Sequence, residues 1–526
     1  MPLTKIPFEV YPFNTDKLLS IFAAKSQANH GIIEKKLHFI YFQEYFENLK
    51  CKTILVENDY VDKDFLEDYA SYYVRCFSEY KRKCTRLHFF KREFDADAFD
   101  ALLRKENGSL KELLTQDYLG FIVVKPLPLT IIGRTCLAPY PEEAGKDRNF
   151  PIIRKYEAHL FGIPLSIKSL AFQEQDNVVA ACATSALWSV FHGTGILFQH
   201  SILSPGEITK EATKQLPIET RTFPNKGLSG EQMAHAIQSV NLEPLLLGIN
   251  NKAYNLKSSI YAYLRFGIPL ILGIDLYDTS GIKPTYLGKH AVAVSGYRLE
   301  AEQTGNDEDE NLLLVSSGMN KIYVHDDQVG PFARMELDNQ TIELAINGFD
   351  TNLMSMSTSW KTEEADIGNI RAVPQMLLVP LYHKIRISFE TIHETIKYFN
   401  SVIEGINKEV PILGGEKIIW DIYLTDVNKL KSTLFSSEQY TGEYFKEVLL
   451  KEMPRFLWRA TAMLKNKFLI DFLFDATDIE QGEYFICAIE YDKDFSLILR
   501  EIFREDIFEK ILINTTAWKM VRWFKD

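Results

Sequence analysis

The chain has 526 residues, 46% of them hydrophobic and 25% charged, with a formal net charge of −12. That length exceeds one ordinary core and points to roughly two to four domains of a folded chain rather than a disordered one. The acidic balance argues against whole-molecule attraction to nucleic acid or anionic lipid.

No apolar run is long enough to span a bilayer, and the opening residues MPLTKIPFEVYPFN lack the basic-then-apolar pattern of a secretion signal. The cysteines at Cys51, Cys76, Cys84, Cys136, Cys182 and Cys487 are scattered, with neither a CxxC pair nor metal-ligand spacing. They read as reduced thiols of a cytoplasmic protein without membrane association.

In chain order, residues 15–50 and 58–85 are charged and amphipathic enough for helices, with Asn58 and Asp59 placed to cap the second. Strand-like runs follow at Leu87–Phe90, Tyr118–Val124 and Thr130–Leu137, punctuated by Pro126, Pro128 and Gly133. Ala138–Asn149 reads as a loop, and the extended segments Ile152–Phe161 and Ile163–Phe172 lead into Gln173-Glu174-Gln175-Asp176-Asn177. The plan then changes, with helices from about Cys182, over Gly230–Val240 and over Ser258–Phe266, the last closed by Gly267 and Pro269. The apolar run Leu270–Leu276 is a buried strand, followed by strands at 290–297, 311–316 and 321–325. The acidic run at 300–310 suits a solvated hairpin loop. Further on come strands at Val373–Leu381 and Ile418–Leu424, a helical stretch over Thr441–Leu464 and a strand at Phe468–Phe474. The expected division is an α+β region over 1–164, a middle domain over 165–335 and an α+β accessory domain over 336–526.

Two segments carry the chemistry. Cys182 opens Cys-Ala-Thr-Ser-Ala-Leu-Trp-Ser, and His290 lies in Lys-His-Ala-Val-Ala-Val-Ser-Gly-Tyr-Arg. A thiol at a helix N-terminus gains from the unpaired N–H groups and the positive end of the dipole, which favour the thiolate. An imidazole at the start of an alternating Ala/Val strand is held by a rigid sheet. Each residue alone fits a bland role, Cys182 as packing and His290 as a hydrogen-bonded surface group; together they suit a nucleophile and its base. The base needs an acceptor on its other ring nitrogen, and the strand ending His325-Asp326-Asp327 offers Asp326 first and Asp327 as competitor. An oxyanion needs a donor beside the nucleophile's own N–H, for which Gln175 leads and Gln173 is the weaker option.

Gln-Asp-Asn-(x)4-Cys with a helix behind it, the Lys-His-Ala-Val-Ala-Val-Ser-Gly-Tyr strand and a strand ending His-Asp-Asp resemble the papain-like cysteine peptidases. The chain looks most similar to the branch that includes the bacterial double-glycine-leader (bacteriocin-processing) peptidases. The resemblance covers about residues 165–335. It implies a nucleophile helix packed on an antiparallel sheet, and a site ordered Gln175, Cys182, His290, Asp326. The sequence departs from that branch in the alanine after Cys182, in Asp-Asp where relatives tend to have Asp-Pro, and in a longer Cys-to-His separation. These departures bear on substrate class more than on thiol chemistry.

The expected activity is cleavage of a peptide or protein substrate through a Cys-His-Asp site and a thioester, with no cofactor and no metal. A metal site from His290, His325, Asp326 and Asp327 is disfavoured because His325 and Asp326 are strand neighbours facing opposite ways. An acyltransferase would use the same thiol site. A nucleic-acid-binding protein is the rival of another class, resting on the basic, aromatic stretch at 75–92; a catalytically inactive scaffold is the third. Large flanking regions leave room for a regulatory protein partner that controls access.

Overall fold

The computed structural model describes residues 7–106, 108–142, 147–176, 178–214, 222–223, 227–300, 312–346, 349–361, 368–438, 440–479, 484–504 and 516–525, and its content is mixed α+β. Two units emerge, each built from separated stretches: Met1–Asn251 with Ile268–Arg298 and Asn320–Pro380, and Lys252–Gly267 with Leu299–Met319 and Leu381–Asp526.

In the first unit, strands Phe8–Pro12, Thr53–Tyr60, Cys84–Phe90, Tyr118–Val124 and Ile132–Leu137 lie side by side in chain order, each antiparallel to the next. Cys84–Phe90 and Tyr118–Val124 are buried along their whole length. The polar side chains this traps are satisfied: Arg86 Nε donates to Glu57 at 2.7 Å, and His88 bonds Glu57 at 3.2 Å and the Tyr118 hydroxyl at 2.8 Å. The helix expected over 58–85 is instead the end of one strand, the short helix Lys63–Ser71 and the start of another strand. Its cap is Asp62, which accepts from Phe65 N at 3.1 Å. The β-branched and apolar run Thr53–Val56 draws Asn58 and Asp59 into the strand before any helix can begin. Residues 15–50 do form helices, as Thr15–Ser26, His30–Glu34 and Leu37–Asn48.

A second sheet takes strands Leu270–Asp278, Thr285–Leu299, Met319–Asp326, Gly330–Glu336, Met356–Ser357 and Ile370–Tyr382 in that order. Leu270–Asp278 pairs antiparallel with both Thr285–Leu299 and Ile370–Tyr382, so the six strands close into a ring. Leu242–Gly248 adds to Ile370–Tyr382, and Asp147–Asn149 adds to Thr285–Leu299. The sequence boundary at 335 therefore falls inside this sheet, two of whose strands lie beyond it. Against the sheet packs helix Cys182–Phe198, buried from Ala183 through Gly195. Leu187, Trp188, Val190 and Phe191 share one core with Ile271, Ala291, Ala293 and Leu378 of the ring and with Met233, Ala236 and Ile237 of helix Gly230–Ser239. The approach is close: a Cβ on Gly193 would come within 2.9 Å of Pro269.

The second unit holds a five-stranded sheet of Leu313–Leu314, Ile419–Asp426, Phe456–Leu464, Lys467–Asp475 and Phe485–Glu490. Its buried Arg459 donates to Asp471 at 2.6 Å, which also accepts from the Tyr491 hydroxyl at 2.6 Å. The expected helix over 441–464 ends early, as Glu443–Leu450. Pro454 bars continuation, and Phe456–Leu464 is a strand. Residues 301–310 of the acidic run lie outside the described residues. Among the described residues, no helix is long and apolar enough to cross a membrane.

Candidate active site

Cys182 is the first residue of its helix, half-buried, and Ala181 before it is extended and supplies no side-chain cap. The N-cap side chain therefore leaves the first-turn N–H groups uncapped beside the thiol. The segment leading in is pinned from both sides. Glu174 accepts from Ile131 N at 2.8 Å and Ile132 N at 3.0 Å and forms an ion pair with Lys36. Asp176 accepts from the Tyr73 hydroxyl at 2.6 Å, Val178 N at 2.9 Å and Val179 N at 3.2 Å. Phe172 pairs with Thr135 through both backbone groups, and Glu174 N donates to Ile132 O at 3.1 Å, so this stretch runs antiparallel alongside strand Ile132–Leu137. Gln175 is half-buried; Gln173 is buried, and its amide nitrogen has no hydrogen-bond partner. Asn177 lies outside the described residues.

His290 does not begin its strand, as the sequence suggested, but sits within Thr285–Leu299. Strand formation starts earlier because residues 285–289 pair with Asp275–Asp278 of the preceding strand. The imidazole is buried, and its Nε2–H donates to Asp326 Oδ1 at 3.0 Å. Its other side hydrogen-bonds Cys182, and with Nε2 taken by the carboxylate, Nδ1 is the ring nitrogen left for the thiol. The chain thus brings together Cys182, His290 and Asp326 in one line.

Asp326 ends strand Met319–Asp326 and collects three donors: His290 Nε2, Gln328 N at 3.0 Å and Trp360 Nε1 at 2.7 Å. Burial raises its pKa, but the His290 charge and these hydrogen bonds outweigh it and hold the carboxyl below its ordinary value. Burial alone would keep His290 neutral; the Asp326 charge and hydrogen bond, then the Cys182 hydrogen bond, lift it well above the usual histidine range. Asp327, the competitor, lies farther off, its Oδ1 3.6 Å from His290 Nε2. That oxygen is buried without a hydrogen-bond partner, and burial, with the Asp326 charge adding to it, pushes the carboxyl up to about 7. His290, Asp326 and Asp327 lie close enough for a cation, with ligand atoms within 4.8 Å of one another. These groups are already engaged, however: His290 Nε2 bonds Asp326, which also accepts from Gln328 N and Trp360 Nε1. His325 lies apart from this group, its ring edge-on to Phe172 and Phe332 and its pKa lowered by burial to about 3.

Several residues of this surrounding were not read from the sequence. Trp360, beyond the expected boundary at 335, sets its ring edge-on to His290 at 5.2 Å between centroids while its N–H holds Asp326. His38 Nε2 bonds Asp327 O at 2.9 Å. The turn after Asp326 brings Gly330 against the Tyr41 ring, where φ is +154° and a Cβ would come within 2.4 Å of the ring. Lone residues of this kind carry no local period; the only signal is Gly330-Pro331 punctuating the turn. In the basic stretch at 75–92, His88, Phe89 and Phe90 are wholly buried and Arg86 is paired with Glu57, so these groups are not available for base stacking or phosphate contact.

No protein-family model matches the chain, and no curated protein matches it either. What the geometry itself defines is a half-buried thiol at a helix N-terminus, hydrogen-bonded to a buried imidazole that is held by a carboxylate on the neighbouring strand.

Proposed function

We propose that this chain is a papain-like cysteine peptidase that cleaves a peptide or protein substrate through a thioester on Cys182. The observation that carries the reading is the position of His290, hydrogen-bonded on one side to Cys182 and on the other to Asp326 at 3.0 Å. Supporting it, the nucleophile helix packs on an antiparallel sheet whose adjacent strands bear the imidazole and the carboxylate.

In this mechanism His290 takes the Cys182 proton and forms a thiolate–imidazolium pair, the imidazolium compensated by Asp326. The thiolate attacks the substrate carbonyl carbon, forming a C–S bond, while the Cys182 N–H and the Gln175 side-chain amide receive the developing oxyanion. Collapse breaks the C–N bond as His290 returns its proton to the leaving amine. Water then attacks the thioester with His290 as base, releasing the acid and restoring the thiol.

Alkylation with iodoacetamide across pH, read by peptide mass spectrometry, tests the reading. Cys51, Cys84, Cys136 and Cys487 are buried, and burial pushes all four thiols up, Cys51 and Cys136 to about 12 and Cys487 to about 11. Cys76 is the other half-exposed thiol, so its rate is the most demanding comparison. Cys182 is expected to react fastest of the six, with its advantage widening below neutral pH. An inert Cys182, or six similar rates, sinks the proposal.

A further inference from the structure

Two successive carboxylates, Asp326 and Asp327, face the same imidazole nitrogen. Alternation along a strand would send them to opposite sides, but the strand ends at Asp326, and Val329 N closes a turn onto Asp326 O at 3.0 Å. Oδ1 of Asp326 therefore lies 3.0 Å from His290 Nε2, and Oδ1 of Asp327 lies 3.6 Å from it. Each carboxylate is anchored through its other oxygen, Asp326 Oδ2 by Trp360 Nε1 at 2.7 Å and Asp327 Oδ2 by Gln328 Nε2 at 3.1 Å. His38 Nε2 holds the Asp327 carbonyl oxygen at 2.9 Å, fixing the backbone that carries the second carboxylate. Asp327 is 3% exposed, and its Oδ1 has no hydrogen-bond partner among the described residues.

An acceptor oxygen shut away from water without a donor is costly. A small cation between the three atoms supplies the missing partner. Zinc holds nitrogen and oxygen ligands at about 2.0–2.2 Å, which in a tetrahedral array sets those ligands about 3.3–3.4 Å apart. That spacing falls between the 3.0 and 3.6 Å separations from His290 Nε2. An imidazole among the ligands favours a first-row transition-type ion over magnesium or calcium, which take oxygen ligands. Trp360, Gln328 and His38 then act as the outer partners that orient the ligating carboxylates.

We propose that His290 Nε2, Asp326 Oδ1 and Asp327 Oδ1 form a binding site for a divalent ion of the zinc type, and that its occupation takes His290 out of acid–base service. The proton that engages Nε2 with Asp326 and the ion compete for the same nitrogen. The metal–nitrogen bond forms as the N–H bond breaks, and that proton, with any on Asp327, leaves to solvent. The proton remaining between His290 and Cys182 then lies on Nδ1, facing the thiolate. With both ring nitrogens occupied, the imidazole cannot accept a proton from the water that hydrolyses a thioester. This consequence rests on the peptidase reading; the ion site itself does not.

The site is tested on the full-length Cys182→Ala chain, in which no thiolate can bind metal, by titration with Zn2+ against a chromophoric chelator. Zinc is expected to bind, and adding Asp327→Asn should weaken it by about 10–100-fold or more. Binding that is lost in Cys182→Ala, or unchanged by Asp327→Asn, overturns the site. The consequence is read on the wild-type thiol with p-nitrophenyl acetate, whose leaving group needs no proton. Zinc is expected to spare the nitrophenolate burst while slowing steady-state turnover about a hundredfold, the usual weight of a general base. In Asp327→Asn the same zinc concentration should leave turnover near that variant's own zinc-free rate. Zinc that abolishes the burst marks coordination by the thiolate and overturns the assignment, as does unaltered turnover in a zinc-loaded wild-type chain. A zinc-free chain without a Cys182-dependent burst would reject the thioester mechanism, while the chelator titration still decides the ion site.

Discussion

Replacing Asp326 by asparagine removes one charge and one acceptor oxygen from a point where three donors converge. His290 Nε2 and Gln328 N both reach Oδ1 at 3.0 Å, and Trp360 Nε1 reaches Oδ2 at 2.7 Å. An amide has a single oxygen. Turned toward His290 and Gln328, it sets its NH2 group against the Trp360 N–H; turned toward Trp360, it sets the NH2 group against His290. Either way one buried donor loses its acceptor, which costs about 1–3 kcal/mol of stability. The larger effect is electrostatic. Removing one partner of a buried ion pair leaves the other uncompensated at about 3–5 kcal/mol. His290 avoids that by releasing its proton, and at about 1.4 kcal/mol per decade the imidazolium population at fixed pH falls by roughly two to three and a half decades. The assay is the second-order rate of Cys182 alkylation by iodoacetamide over about pH 5–8 in a Cys76→Ser background. The expected result is a loss of about a hundredfold or more near pH 6 and an acid limb displaced upward, with urea unfolding registering the smaller stability loss. A rate within threefold of wild type across the range refutes the assignment, and a greater loss in Asp327→Asn would move the orienting role to that residue.

Asp327 itself predicts the opposite behaviour in stability. Its folded carboxyl titrates at about 7 and the unfolded one at the ordinary value of 3.8, so between those values the folded state holds the extra proton and stability falls as pH rises. Asp327→Asn removes this, and its stabilisation should grow from about pH 4 to a plateau above neutrality, of order 2–4 kcal/mol by urea unfolding; a pH-independent difference would refute it. The oxyanion donor is decided by Gln175→Ala against Gln173→Ala: the true donor should lose about 10²–10³ in kcat, and the other little. An equal loss from Gln173→Ala alone would assign the role to its orphan amide. Glu174→Gln puts an amide NH2 toward Lys36 or toward the Ile131 and Ile132 N–H groups, and should cost about 3 kcal/mol in chemical unfolding. Unchanged stability would show that the Lys36 pair does not hold the segment before Cys182.

The line Cys182, His290, Asp326 was legible because each member sits in a short local pattern. Small residues after Cys182 let a helix lie deep, alternation after His290 marks a strand, and the turn signal of Gly330-Pro331 ends the Asp326 strand where carboxylates stand. Glu174, Asp176, His38 and Trp360 were not legible, because what they do depends on partners far along the chain: Lys36, Tyr73, Asp327 and Asp326 respectively. The misread helices have the same origin on a smaller scale. Amphipathic content over 58–85 and 441–464 is real, but strand pairing of Thr53–Tyr60 with Cys84–Phe90, and of Phe456–Leu464 with its two neighbours, overrides it.

The boundary at 335 was misplaced for a reason that also bears on the site. A middle domain ending there would leave Leu270–Asp278 with an open edge of unpaired backbone groups on the side away from His290. Ile370–Tyr382 covers that edge along nearly its whole length, from Ile271–Leu378 to Asp278–Ile370. Closing the ring obliges the chain to cross from Met356–Ser357 to Ile370–Tyr382, and Trp360, which holds Asp326, lies on that crossing. One demand of sheet closure thus supplies both the missing strand and a donor that holds the orienting carboxylate. A chain ending at 335 should therefore lose Cys182 reactivity and expose a sticky strand edge, seen as aggregation in size-exclusion chromatography. A soluble, monomeric 1–335 chain whose Cys182 alkylates at the wild-type rate would show instead that neither closure nor Trp360 is needed to assemble the site.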